Sequence, residues 1–94
     1  MLFTIEVPAV TISTPLTEKQ ASQRQRATNQ MLTDTEDNLK KVAGKSLTAA
    51  QEDTVQQTRS YMDQSRKASA DGDTQRAYNL ASKAKMLSAD LAGH

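Results

Sequence analysis

The sequence predicts an all-α protein: an antiparallel three-helix bundle, with a long first helix and a helical hairpin, preceded by an extended N-terminal arm or short strand. Two segments, Leu16–Gln20 and Leu47–Gln51, share an apolar residue, then Thr, then Gln three residues after the Thr. This order is typical of the capping box that opens a helix. After each box, apolar or small residues recur every three or four positions. Glycines at positions 44, 72 and 93 end the periodic segments, and a chain of 94 residues allows one domain only.

The arm comprises residues 1–15 in this prediction, and the helical domain comprises residues 16–94. Phe3, Ile5 and Val7 alternate with polar residues, as in a strand, and a proline then interrupts the pattern. A single strand cannot satisfy its own backbone. The arm therefore lies along the helices, pairs with its copy in another chain or is the remnant of a linker. It is too short for a spanning helix and lacks the basic residues of a signal peptide.

The first helix is predicted from about residue 17 to residue 43, with Gly44 closing it in the left-handed conformation. Its inward stripe is spaced by threes and fours; the members are Ala21, Thr28, Leu32, Thr35, Leu39 and Val42. The segment from residue 20 to residue 30 is almost wholly polar. We expect that segment to fray, to be solvated or to meet another subunit.

The second and third helices are predicted over about residues 49–70 and 74–92, with Gly72 ending one and Asp73 capping the next. The inward stripe of the second helix consists of Val55, Thr58, Tyr61, Met62, Ser65 and Ala68. That of the third consists of Ala77, Leu80, Ala84, Leu87 and Leu91. Short connections make neighbouring helices antiparallel, so these two form a hairpin and the first packs along it.

Composition makes the predicted core thin. The apolar fraction is 36% and the aromatic fraction is 3%, so the helices meet largely through Ala, Ser and Thr. Small residues let helix axes approach closely, but each buries far less than the roughly 1.5–3 kcal/mol that a buried Leu contributes. In a domain of this size, packing quality or self-association then matters more.

The sequence offers no enzyme chemistry. The net charge of +1 argues against nucleic acid or an anionic membrane as a partner. Cysteine is absent and His94 is the single histidine, and at helical spacing Asp34, Glu36 and Asp37 cannot face one point. We therefore expect no catalytic residues, no metal, no cofactor and no small-molecule substrate.

The candidate partner-binding residues are of two kinds. Tyr78 lies one step off the inward stripe of the third helix, so that with Lys85 it borders a surface groove. Phe3, Ile5 and Val7 offer the apolar face of the arm. The methionines at positions 31, 62 and 86 are interpreted as gap fillers in the core, and the tyrosine at position 61 as a core residue.

The segment Gly72–Leu87 resembles the second helix of a tetratricopeptide repeat. The resemblance is carried by Gly72 and Asp73 at the turn and by Ala77, Lys83, Ala84 and Leu87 in the helix. Tyr61 and Ser65 match the preceding helix of that repeat, whereas Gln64, Thr74 and Ala89 depart from it. The resemblance covers about one repeat. Stacked repeats need about three copies to bury their apolar faces. The resemblance therefore implies a packing hairpin rather than a peptide-binding groove.

A longer stretch looks like the small C-terminal helical domain of uncharacterised bacterial envelope proteins, some of them lipoproteins. It comprises the Gln-rich first helix, residues 40–68 and residues 72–91. This resemblance implies an extracytoplasmic location, in the periplasm or at the cell surface, with an export signal that this chain lacks and residues 1–15 as the end of a linker. It implies no activity.

Two functions fit these features. One is a non-catalytic helical module for protein–protein interaction, most simply self-association into a homo-oligomer. The alternative is a structural subunit of a filament or lattice that assembles when the N-terminal strand adds to a neighbouring chain.

Overall fold

The computed structural model describes residues 17–93 and contains three helices, α1 (Glu18–Ala43), α2 (Ala49–Ala70) and α3 (Thr74–Ala92). The predicted all-α three-helix bundle is confirmed, with helix bounds within one residue of those expected. The predicted arm, residues 1–15, lies outside the described residues.

Both capping boxes form. The Thr17 hydroxyl accepts a hydrogen bond from the Gln20 backbone amide at 3.1 Å, and the Gln20 side chain accepts one from the Thr17 amide at 3.1 Å. Thr48 and Gln51 repeat this exchange at the start of α2, at 3.1 and 2.9 Å. Each box satisfies two backbone amides that the first turn of a helix leaves without partners.

The turns differ in their use of glycine. Gly44 follows α1 at φ −93°, so the expected left-handed closure is wrong there; the Gly44 amide instead donates to the Val42 carbonyl. Gly72, between α2 and α3, has φ +81° and takes the left-handed conformation that favours glycine. Asp73 then caps α3 by accepting from the Arg76 amide at 3.3 Å.

Helix α3 lies between the other two, antiparallel to α2 and parallel to α1. It packs closely along both, whereas α1 and α2 approach each other at few places. The reason is side-chain size: Ala77, Ala81 and Ala84 on α3 are fully buried, and they let its neighbours come near. Between α1 and α2 lie the larger side chains of Leu39 and Met62, which belong to the core cluster and line an open groove.

Polar residues occupy much of the interior. Thr28, Thr35, Thr58, Ser65 and Ser88 are all fully buried. The three threonine hydroxyls donate to carbonyls one turn earlier in their own helices, at 2.7–2.9 Å. Ser65 donates across the hairpin to the Ala77 carbonyl at 2.7 Å. Within residues 17–93 no buried side-chain polar atom lacks a partner, so hydrogen bonds offset the cost of removing these hydroxyls from water.

The polar first half of α1 is largely solvated, as one of the expected alternatives has it, with six of residues 20–30 exposed, but it also contacts the hairpin. Thr28 is fully buried, and the Gln25 amide donates to the Ser69 hydroxyl of α2 at 3.2 Å. The Arg24 guanidinium lies 4.5 Å from the centre of the Tyr78 ring. This half has few apolar groups to bury, so hydrogen bonds and a cation–π contact fix it to the hairpin.

Candidate interaction surface

Tyr78 and Lys85 lie on the side of α3 that faces α1, and both contact that helix. Tyr78 is half-buried beneath Arg24. Lys85 places its Nζ atom 3.3 Å from the Asp34 carboxylate. Each predicted side chain is thus occupied by a contact within the chain and helps to hold α1 in place.

Asp34 sits at the centre of a small polar network. Its Oδ1 atom accepts a hydrogen bond from the Gln30 amide at 2.9 Å, and Lys85 approaches its other oxygen. The hydrogen bond from Gln30, with a further contribution from Lys85, lowers the pKa of the Asp34 carboxyl below its ordinary value of 3.8. At neutral pH the carboxylate is ionised, and its contact with Lys85 links α1 to α3.

Glu36, a neighbouring acidic residue of α1, faces α2 rather than Lys85. Glu36 pairs with Arg66 of α2 at 3.4 Å, where both side chains are about half exposed. No group of three or more His, Asp or Glu side chains within residues 17–93 is arranged to hold a metal ion. Phe3, Ile5 and Val7, the remaining predicted partner-binding residues, lie outside the described residues, as does His94.

An apolar groove opens on the outer face of the α2–α3 hairpin. It has a volume of about 180 Å³ and is lined by Gln57, Tyr61, Lys83, Met86 and Leu87. Among the large hydrophobic side chains of residues 17–93, that of Met86 is exposed, with 70% of the residue's surface accessible to solvent. Tyr61 and Leu87 are half-buried beside it, and the Lys83 Nζ atom lies 5.7 Å from the centre of the Tyr61 ring.

Two side chains of this groove, those of Met86 and Leu87, lie elsewhere than the sequence predicts. Met86 was expected in the core and is exposed, whereas Met62 is buried, as expected. Leu87 was expected on the inward stripe of α3 but lies at its edge, and the neighbouring Ser88 is buried instead. Tyr61, expected in the core, is partly buried and packs against it from the rim. Met86 and Leu87 are about 100° apart around the helix axis, so they cannot both point into the core, and that adjacency was the available signal.

A second groove separates α1 from α2 and has a different character. Its volume is about 340 Å³, with Leu39 and Met62 at its floor and charged side chains of both signs along its rims, Glu36, Lys40, Arg59, Asp63 and Arg66. Arg66 spans it to reach Glu36. Such exposed pairs are well hydrated and contribute little to binding or stability, so this groove is the weaker candidate surface.

Comparison with protein-family models, with characterised proteins and with solved structures found no match to this chain. No helix within residues 17–93 has the length and apolar character needed to cross a membrane.

Proposed function

We propose that this chain is a non-catalytic interaction module that associates with itself through the outer face of the α2–α3 hairpin. The observation that carries the proposal is the groove around Met86, where an exposed thioether stands beside the half-buried Tyr61 and Leu87. Apolar side chains that cluster on the surface of a small domain mark contact sites more often than single exposed ones do. Methionine suits such a site because its flexible, polarisable side chain adapts to a facing surface.

The thin core adds a reason for self-association. Much of the interior consists of Ala, Ser and Thr, so the isolated domain buries few large apolar groups. Covering Met86 and Leu87 in a complex removes further apolar surface from water, at about 25 cal/mol per Å². Any partner that binds only the folded chain raises its apparent stability in proportion to the logarithm of concentration.

Sedimentation equilibrium of the purified chain, with thermal unfolding measured across the same range of protein concentration, tests the proposal. We expect an average mass above that of the monomer at high concentration, and a melting temperature that rises with concentration. Met86→Lys should shift the equilibrium towards monomer, whereas Gln23→Lys, at an exposed position on α1, should not. A monomer at all concentrations, with a constant melting temperature, would contradict the proposal.

The bacterial envelope is the proposed setting, on the resemblance alone. The gene provides the test, because an export or lipid-attachment signal encoded upstream of residue 1 would support an extracytoplasmic location. A reading frame that starts at residue 1 and encodes no such signal would contradict the extracytoplasmic location.

A further inference from the structure

The exposed side of α3 carries a stripe that is complementary to itself. Lys83, Met86, Leu87 and Asp90 follow one another at spacings of three, one and three residues. At 3.6 residues per turn, these four positions fall within about 100° of arc on one side of the helix. The buried alanines at positions 77, 81 and 84 occupy another side, so Lys83, Met86 and Asp90 face away from the core and Leu87 lies at its edge. Lys83 and Asp90 are both exposed at its ends.

We propose that two copies of the chain pair through this stripe, with their α3 helices antiparallel about a two-fold axis between Met86 and Leu87. The inference rests on the proposed function and names the surface and its partner. In an antiparallel pair centred there, Met86 of each copy faces Leu87 of the other. Lys83 of each copy likewise faces Asp90 of the other, because the two residues are equidistant from the axis.

The groove completes the fit. Met86 of one copy enters beside Leu87 of the other, where Gln57 and Tyr61 of α2 form the opposite wall. The same contact is made twice, as an isologous interface requires. Apolar side chains lie at the centre of this pair and charged side chains at its ends, the usual arrangement of a protein interface.

Charge favours a second copy over an unrelated partner. Lys83 is positive and Asp90 is negative, and the two lie at equal distances on either side of Met86 and Leu87. The charges of the stripe are therefore complementary to those of a second, antiparallel copy. Asp90 also takes part in an interaction within its own chain, but a carboxylate has two oxygens and accepts several hydrogen bonds at once. The pairing uses only one exposed stripe per chain, so the interface is small and of the transient kind. We therefore expect a dimer dissociation constant in the micromolar range.

Charge reversal of the full chain tests the pairing. In Lys83→Glu the two Lys–Asp contacts become like-charge contacts, and in Asp90→Lys they become Lys–Lys contacts. Each single variant should raise the dimer dissociation constant by about tenfold or more at low ionic strength. An equimolar mixture of the two variants should restore wild-type affinity, since one copy then presents two acids and the other two bases. The double variant should restore it as well.

Lys41→Glu is the matched control, an equal charge reversal at an exposed position on α1, and it should leave the dissociation constant unchanged. Circular dichroism of each variant shows that it has folded. Recovery of the dimer in the mixture but in neither single variant supports the two-fold pairing. Single variants that associate as the wild type does overturn this pairing and leave self-association standing. A wild-type chain that stays monomeric from about 1 to about 500 µM overturns both.

Discussion

Replacement of Ala84 by Leu tests whether α3 is held between its neighbours by small side chains. Ala84 is fully buried and belongs to the cluster that contains Leu32, Leu39 and Met62. A Leu at this position adds about three carbon atoms to a site where Ala84 has no surface exposed to solvent. If the neighbouring helices cannot move apart, the substitution should destabilise the fold by about 1–3 kcal/mol.

The opposite outcome has a comparable size, which makes the experiment decisive. If the seam had room, the same three groups would gain up to about 0.8 kcal/mol each on burial. The sign of the change in unfolding free energy thus separates a tight seam from a loose one. For a domain of this length a loss of about 1–3 kcal/mol lowers the melting temperature by about 4–24 °C.

The assay is urea unfolding followed by circular dichroism, at one fixed protein concentration. Ala89→Leu is the control: it makes the same exchange on the same helix at an exposed position, so that helix propensity cancels. We expect the unfolding free energy of Ala84→Leu to be lower than that of Ala89→Leu by about 1–3 kcal/mol. Equal stabilities, or a more stable Ala84→Leu, would refute close packing around α3.

Three further substitutions address single contacts. Gly72→Ala should destabilise the fold by about 1–2 kcal/mol, because φ is +81° there; Gly44→Ala, at φ −93° with open space around the added carbon, should be neutral or slightly stabilising, and equal losses in urea unfolding would argue against this reading of the turn. A double-mutant cycle with Arg24→Met and Tyr78→Leu should give a coupling of about 0.5–1 kcal/mol for the cation–π contact; a coupling near zero would mean that the polar half of α1 is held by other contacts. Because folding lowers the pKa of Asp34 below 3.8, its ionised form stabilises the fold above that pH and the contribution is lost as the pH falls below it. Asp34→Asn should therefore flatten the acid limb of the stability–pH curve, and an unchanged limb would contradict the assignment.

The buried hydroxyls and the groove around Met86 show how far helical spacing alone can predict burial. Thr28, Thr35, Thr58 and Ser65 were expected on inward stripes, and all four are fully buried. The pattern placed them correctly because a helix presents every third or fourth residue to one side, whatever its chemistry. Spacing alone does not separate Leu87 from Ser88, because they follow Ala84 by three and four residues; the prediction took Leu87, and Ser88 is the one that is fully buried.

Helix number, helix bounds and the caps were determined by the sequence itself. Thr17, Thr48 and Asp73 accept hydrogen bonds from amides three residues away, so their partners are fixed by short stretches of chain. The tertiary structure decided that α3 lies in the middle, that Gly44 avoids the left-handed region, that Arg24 covers Tyr78 and that Met86 faces solvent. These features depend on side chains that come together from different helices. The size and charge of those side chains set the distance between two helices and the rotation of each helix about its axis.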